Sequence, residues 1–456
     1  MAKNFKAIYE GGNDSSALNQ SYFIVKETTR GSIANCVGED FLYTLSGGGV
    51  NFSQPFESSP HRSGRHNNNI IRQKTSTEWS LSTLLNIAQK QVASPTLDSL
   101  FSASVDKGVR VMWEAMLGKA KRYSYDNAFA ETLMTDVALD TTADANGGRM
   151  QFDSSSDPSL TFTLFENLDH IAKQVVGCFI NQVEISLPGD GQSQLNWSGN
   201  AKTVYHAGIG KVTAVAAAAD ENVITVDDGD EYRFDVGSLV MFVKNSDGVT
   251  RSTDTAIPRK VLALDKVAHT VTVDGAALTD VVATDYLCYW EPESSTFEGI
   301  DNPQTGLVGK ITIASLPTLS CVRSATITLN NNHELVNYCF GADGLSGPMF
   351  VPGGRLEATL SLEMNLNAPL VEFMKKIRDF EAQNITFRVG PEKSSPATIS
   401  EEKHHFLVEC PKVIFQVPSI SVPETGSIPV TFEGTCLQSA LDAADEVEVS
   451  YVLPSK

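Results

Sequence analysis

The chain has 456 residues, 55 acidic against 35 basic, with a formal net charge of −20 and a pI near 4.8. That surplus of carboxylates argues against a general grip on nucleic acid or an anionic lipid surface, and the length exceeds what one ordinary core accommodates. At 41% hydrophobic and 20% charged, the composition is that of a folded globular protein of two to three domains.

The N-terminus, "MAKNFKAIYEGGNDSS", has no apolar centre of the kind a signal peptide needs, and no uncharged apolar run reaches membrane-spanning length. The expectation is a soluble protein made in a cytoplasm. A basic run then stands out in the acidic chain: His61, Arg62, Arg65, His66, Arg72 and Lys74 follow closely after Ser53. Such a cluster fits a nucleic-acid grip, an anion site, or a loop that docks on an acidic neighbour.

Next comes "TEWSLST", whose alternation puts Glu78, Ser80 and Ser82 on one strand face and Trp79, Leu81 and Thr83 on the other. "DKGVRVMWEAMLGKA" predicts a helix with Val109, Met112, Trp113 and Met116 on one face and Gly118 as its stop. "DTTADANGGRMQFDSSSDPS" reads as a long exposed loop, and "ENLDHIAKQVV" is a third, weaker candidate helix near 166–176.

From about 204 to 300, short strands such as "NVITVDD" and "HTVTVDG" alternate with Asp/Gly turns, as in a small β-barrel or sandwich. Beyond it lie the strands "KITIASL", "SATITLNNN", "ATLSLEMNL" and "EVEVSYV", and the helix "NAPLVEFMKKIRDF" with Leu370, Phe373, Met374 and Ile377 on one face. Glu357, Thr359, Ser361 and Glu363 line one face of "EATLSLEMN", opposite Ala358, Leu360, Leu362 and Met364. The fold class is therefore mainly β with a few short helices.

Catalytic motifs are missing: there is no G-x-S-x-G, H-E-x-x-H, Walker-type Gly-Lys or C-x-x-C. Seven scattered cysteines predict reduced, mostly buried thiols. "DDGDEYRFD" from Asp227 misses the spacing of a calcium loop and reads as a solvated acidic turn. His404 and His405 are adjacent, so on a strand they face opposite ways. No metal or cofactor is expected, and no enzymatic activity.

Three pairs of segments recur in the same order. "ISLPGDGQSQLNWSGNA" from Ile185 matches "ISVPETGSIPVTFEGTC" from Ile420, "EWSLSTLLN" from Glu78 matches "EATLSLEMN" from Glu357, and "TLSGGG" from Thr44 matches "TLNNNH" from Thr328. The spacing within these pairs shrinks along the chain, which implies a duplication with an insertion in the first copy after the Glu78 strand. The expected layout is copy one at 1–203, an inserted β domain at 204–300 and copy two at 301–456.

The early strand, the loop with a basic Arg/Gly/Asn tip, "TEWSLST", "MWEAML" and "INQVEISLPGDGQSQLNWSGNA" together resemble the major tail tube proteins of long-tailed bacteriophages. The resemblance is to the duplicated-domain type, as in coliphage T-five, and covers both copies but not the insert. It implies two tandem β-sandwich or barrel domains, each flanked by a short helix, and homotrimeric, pseudo-sixfold rings that stack into a tube for genome ejection. It also implies a virion tail location, with the tape measure protein, tail terminator and distal tail or baseplate proteins as partners. Double-stranded DNA would pass through without specific binding, and no membrane would be involved.

On this reading Glu78, Ser80, Ser82, Glu357, Thr359 and Ser361 are lumen-facing candidates. His61, Arg62, Arg65, His66 and Arg72 are candidates for an inter-ring loop that docks on carboxylates of an adjacent subunit, and the insert lies outside the tube. The alternative class is a β-sandwich adhesin or baseplate component with a carbohydrate-binding insert.

Overall fold

A computed structural model describes residues 3–11, 20–58, 70–72, 75–88, 97–125, 130–134, 147–154, 160–216, 221–314, 316, 322–336, 349–351, 354–391, 403–420, 425–441 and 443–454. Helix α1 (Phe5–Gly11) precedes β1 (Ser21–Lys26), β2 (Phe41–Leu42), β3 (Gly49–Ser53), β4 (Phe56–Ser58), β5 (Ile70–Arg72) and β6 (Ser76–Leu84). Helices α2 (Leu97–Ser104) and α3 (Lys107–Leu117) follow. Then come β7 (Lys121–Tyr125), β8 (Glu131–Leu133), β9 (Gly147–Phe152), β10 (Phe162–Asn167), β11 (Ala172–Pro188), β12 (Gln194–Asn200) and β13 (Thr203–Ala207).

A closed barrel is formed by β14 (Ile209–Ala216), β15 (Glu221–Val226), β16 (Leu239–Val243), β17 (Arg259–Asp265), β18 (Thr270–Asp274) and β19 (Tyr286–Tyr289). The last part holds β20 (Gly309–Ile313), β21 (Val322–Asn330), β22 (Glu334–Val336), β23 (Met349–Val351) and β24 (Glu357–Asn365). Helix α4 (Ala368–Arg378), β25 (Gln383–Val389), β26 (His405–Phe415), β27 (Pro429–Leu437) and β28 (Glu448–Pro454) complete it. The protein is mainly β, with Val-, Ile-, Thr- and aromatic-rich runs bounded by Gly, Asn and Asp.

One unbroken antiparallel sheet runs β3–β6–β12–β11–β21–β24–β27–β26. Strand β11 is long enough to serve two layers. Its C-terminal part lies in this first sheet, whereas Ala172–Val176 pair with β13 and β10 in a second sheet completed by β1 and β2. The chain turns between the two at Gly177, whose φ of 69° suits glycine and few other residues. A corresponding second layer, β20–β25–β26–β28–β9–β7–β8, forms beside the later strands.

Between the layers lies the main core. Trp79 of β6 meets Phe162 of β10 at 5.5 Å between ring centroids, and Trp113 of α3 meets Trp197 of β12 at 4.8 Å. Such edge-on pairs add to the burial of the rings themselves. The opposite face of β1 and β10 supplies Phe23 and Phe165 to a second core, shared with the barrel residues Tyr286, Tyr289 and Trp290. The layers are thus stacked as first sheet, main core, second sheet, second core and barrel.

Helices α3 and α4 match the periodicity in the sequence. Gly118 ends α3 at φ 100°, and Asn367 caps α4 by accepting a hydrogen bond from Leu370 N, with Pro369 in the first turn. Other expectations are corrected. Residues 166–176 are not helical: they close β10 and open β11 around a turn in which Leu168 N donates to Ile171 O. Ile171 and Val175 share helical spacing, but pairing with β10 on one side and β13 on the other decides for the strand.

Part of the supposed exposed loop is also strand. Gly147–Phe152 is β9, largely buried, and it pairs with β28, so a segment from the first half covers a sheet edge in the second. The acidic turn is a 3-10 turn in which Asp230 and Glu231 are buried. Asp230 accepts from Lys211 N at 2.8 Å and from the Tyr9 hydroxyl at 2.8 Å, fastening α1 to the barrel.

Candidate assembly surface

The first sheet has one face on the main core and one facing outward. Along β6, Trp79, Leu81 and Thr83 are buried, Glu78 and Ser80 are exposed and Ser82 is half-buried. Along β24, Ala358, Leu360, Leu362 and Met364 are buried, whereas Glu357 and Thr359 are exposed and Ser361 is half-buried. The six residues singled out in these strands therefore share one polar face. Neighbouring strands extend it with Asn196 and Ser198 of β12, Glu184 and Ser186 of β11, Thr326 and Thr328 of β21, and Thr431 and Glu433 of β27.

Hydrogen bonds stitch this face together. Asn196 Nδ2 donates to Glu184 at 3.1 Å, and Ser361 Oγ donates to Glu433 at 3.3 Å. Arg323, at one end, is neutralised by Glu363 at 2.9 Å, and Lys412 lies at the far strand, β26. Glutamates and hydroxyls dominate the rest. The closed barrel lies beyond the second sheet, on the opposite side of the layers.

The ladder registers of the two halves coincide. Asn51 stands opposite Glu78 as Asn330 stands opposite Glu357, and Ser80 faces Gly49 as Thr359 faces Thr328. Thr328 therefore corresponds to Gly49, not to Thr44, which corrects the weakest of the three sequence matches. In the second layers, Phe162 pairs with Cys178 and Leu164 with Val175; Gln383 pairs with Val413 and Ile385 with Cys410. The same bulge interrupts both ladders at the same place, and bulges are specific features of a backbone.

Against this match, one element differs. In the first half, Gln182–Pro188 at the end of β11 pair with β21, joining the two halves edge to edge. Gln182 corresponds to Val417, and Ile185 corresponds to Ile420. Residues 416–420 form no strand, and the edge of the second half has no ladder there among the described residues. Ile185 is fully buried, whereas Ile420 is 42% and Val417 59% exposed. A groove beside this arm is lined by Glu363, Val417, Pro418, Thr431 and Glu433. At the other end of the sheet, β3 is paired only with β6 among the described residues, and Phe52 is exposed.

The remaining candidates separate cleanly. His61, Arg62, Arg65 and His66 lie outside the described residues, and Arg72 is described only as part of β5. His404 and His405 are buried and bonded through Nδ1 to Ala88 O and Lys403 O. His269 Nδ1 lies 3.3 Å from Glu231 and 3.4 Å from Asp228, at the mouth of the acidic turn. Cys36, Cys178, Cys288, Cys410 and Cys436 are buried free thiols, and burial pushes Cys36, Cys178 and Cys288 up from their ordinary value. Cys321 and Cys339 lie outside the described residues.

Sequence reasoning located the polar face but missed the junction between β11 and β21. The signal was present in the repeated I-S-x-P of Ile185 and Ile420, since one sequence that recurs at two edges asks for two partners. Compared with protein-family models and with curated proteins, the chain matches none.

Proposed function

We propose that this chain is a structural, self-assembling tail tube protein, with no enzymatic activity, whose rings are built by continuing the internal sheet junction from chain to chain. The observation that carries the reading is the pair of corresponding arms: residues 182–185 are a strand with β21 beside it, and residues 417–420 are a coil, largely exposed, where no strand is supplied among the described residues. In this reading the arm from Val417 pairs with β3 of the next copy. Val417 then faces Asn51 as Gln182 faces Asn330, and Ser419 faces Gly49 as Glu184 faces Thr328.

Edge pairing of this kind satisfies backbone donors and acceptors that are otherwise left to water. Pro418 in the arm limits indiscriminate pairing, because its nitrogen carries no donor. Three two-unit chains close a pseudo-sixfold ring, and the polar face with Glu78, Ser80, Ser82, Glu357, Thr359 and Ser361 lines the channel. A wall of carboxylates and hydroxyls repels phosphate, so duplex DNA slides through without adhering. The barrel, on the far side of the layers, decorates the outside of the tube.

Electron microscopy of the concentrated, purified chain tests this directly. Threefold rings or hollow filaments are expected. A persistent monomer that binds glycans overturns the reading in favour of an adhesin with a carbohydrate-binding barrel.

A further inference from the structure

The internal junction has a second layer of contacts, in which α3 of the first half reaches the second half. Trp113 is fully buried; its Nε1 donates to the Tyr451 hydroxyl at 3.1 Å, and its ring lies 6.3 Å from that of Phe406. Helix α4 has the same length as α3 and follows the matching strand. Aligned on their caps, Asp106 and Asn367, the two helices bury Val109, Met112 and Met116 in one case and Leu370, Phe373 and Ile377 in the other.

Their second faces differ. Where α3 buries Val111, Trp113, Ala115 and Leu117, α4 has Glu372, Met374, Lys376 and Arg378. Val371, Lys375 and Arg378 are exposed on α4, and Phe380 just beyond it is 77% exposed at φ 58°. The left-handed backbone at Phe380 closes the helix, with Glu381 N donating to Lys376 O across it, and leaves the ring outside the helix end.

The registers say what α4 would meet. Leu407 and Ser450 correspond to Ala172 and Ala207, so Phe406 and Tyr451 correspond to Ile171 and Gly208. Gly208 is the joint where the second sheet enters the barrel, and a Cβ built there comes within 2.9 Å of Arg233. Directly above it is the turn of residues 227–235, with Asp227, Asp228, Asp230, Glu231 and Asp235. Asp228 is 90% exposed and Tyr232 64% exposed. Arg233 is already committed to Asp230 at 3.1 Å and to the Tyr9 ring.

We propose that the basic end of α4 in one copy of this chain, with Lys375, Arg378 and Phe380, docks on the acidic turn of the inserted barrel in the next copy. The inference rests on the ring reading and gives the insert a role as a clamp between neighbouring chains. The apolar seam inside one chain is thus replaced between chains by a charged one, which suits a contact that must stay soluble before assembly.

Charge reversal in the full-length chain tests it, with assembly followed by sedimentation and electron microscopy. Lys375→Glu with Arg378→Glu should reduce the assembled fraction about tenfold without changing the Tm of the unassembled chain, and Asp227→Lys with Asp228→Lys should reduce assembly as far. Combining all four substitutions should restore assembly. If the wild type assembles and the reversals have no effect, or the combination is no better than either pair, this contact is refuted and the ring reading stands. If the wild type never assembles, the ring reading fails and takes this contact with it. Lys375→Gln with Arg378→Gln, a milder change, should give an intermediate loss; full assembly there also counts against the contact.

Discussion

Two arms that share the I-S-x-P of Ile185 and Ile420 sit in different surroundings. Ile185 lies in a ladder between β12 and β21 and is sealed from water, whereas Ile420, its counterpart, lies in a coil and is exposed. The flanking ladders, bulge included, agree between the halves, but within the arms Pro418 stands where the first has Val183, and a proline weakens a strand. A neighbour separates them as well. The first arm finds its partner strand further along its own chain, and the second has none among the described residues.

The sharpest way to break this comparison is to truncate both isoleucines. Ile185→Ala should cost about 2–5 kcal/mol of folding stability, the range for a buried aliphatic side chain. Ile420→Ala should leave the Tm of the isolated chain almost unchanged and weaken assembly instead. Denaturant melts and sedimentation of the two variants side by side check both halves of the statement. Equal losses of folding stability would mean that the arms are in equivalent environments after all.

A second effect comes from the helix caps. Asp106, at the start of α3, is 6% exposed, and burial raises its carboxyl to about 7 despite the bond from Ile300 N and the nearby Arg110. The unfolded chain, with an aspartate near 3.9, binds fewer protons than the folded one between those values. Stability from this group therefore falls as pH rises from about 4 to about 7. Asp106→Asn should flatten that part of the Tm–pH profile, and an unchanged slope would contradict the assignment. Asn367, the corresponding residue of α4, instead performs an ordinary cap, and Asn367→Ala should cost about 1 kcal/mol in a denaturant melt.

Much of the fold was legible in the sequence because its strands alternate strictly: Trp79 and Leu81 against Glu78 and Ser80 leave little freedom of register. The helices α3 and α4 were legible from apolar spacing and their stops. Residues 166–176 were misread because Ile171 and Val175 satisfy helical spacing while tertiary pairing governs the outcome. Strand β9 was missed because its partner, β28, lies far away in sequence, and no local pattern encodes a crossing of that kind. The burial of Asp230 and Glu231 is invisible in the sequence for the same reason, since their partners Tyr9 and His269 come from other elements.

The polar face was visible as an alternation, but the edge that joins the halves is a relation between strands and emerges only once registers are compared. Amide hydrogen exchange of residues 417–420, measured on the dispersed chain and again after assembly, tests the edge-pairing account most directly. The account predicts fast exchange in the dispersed chain and, after assembly, protection comparable to that of residues 182–188, Pro418 and Pro188 having no amide to follow. Assembled particles in which 417–420 still exchange at coil rates would contradict it.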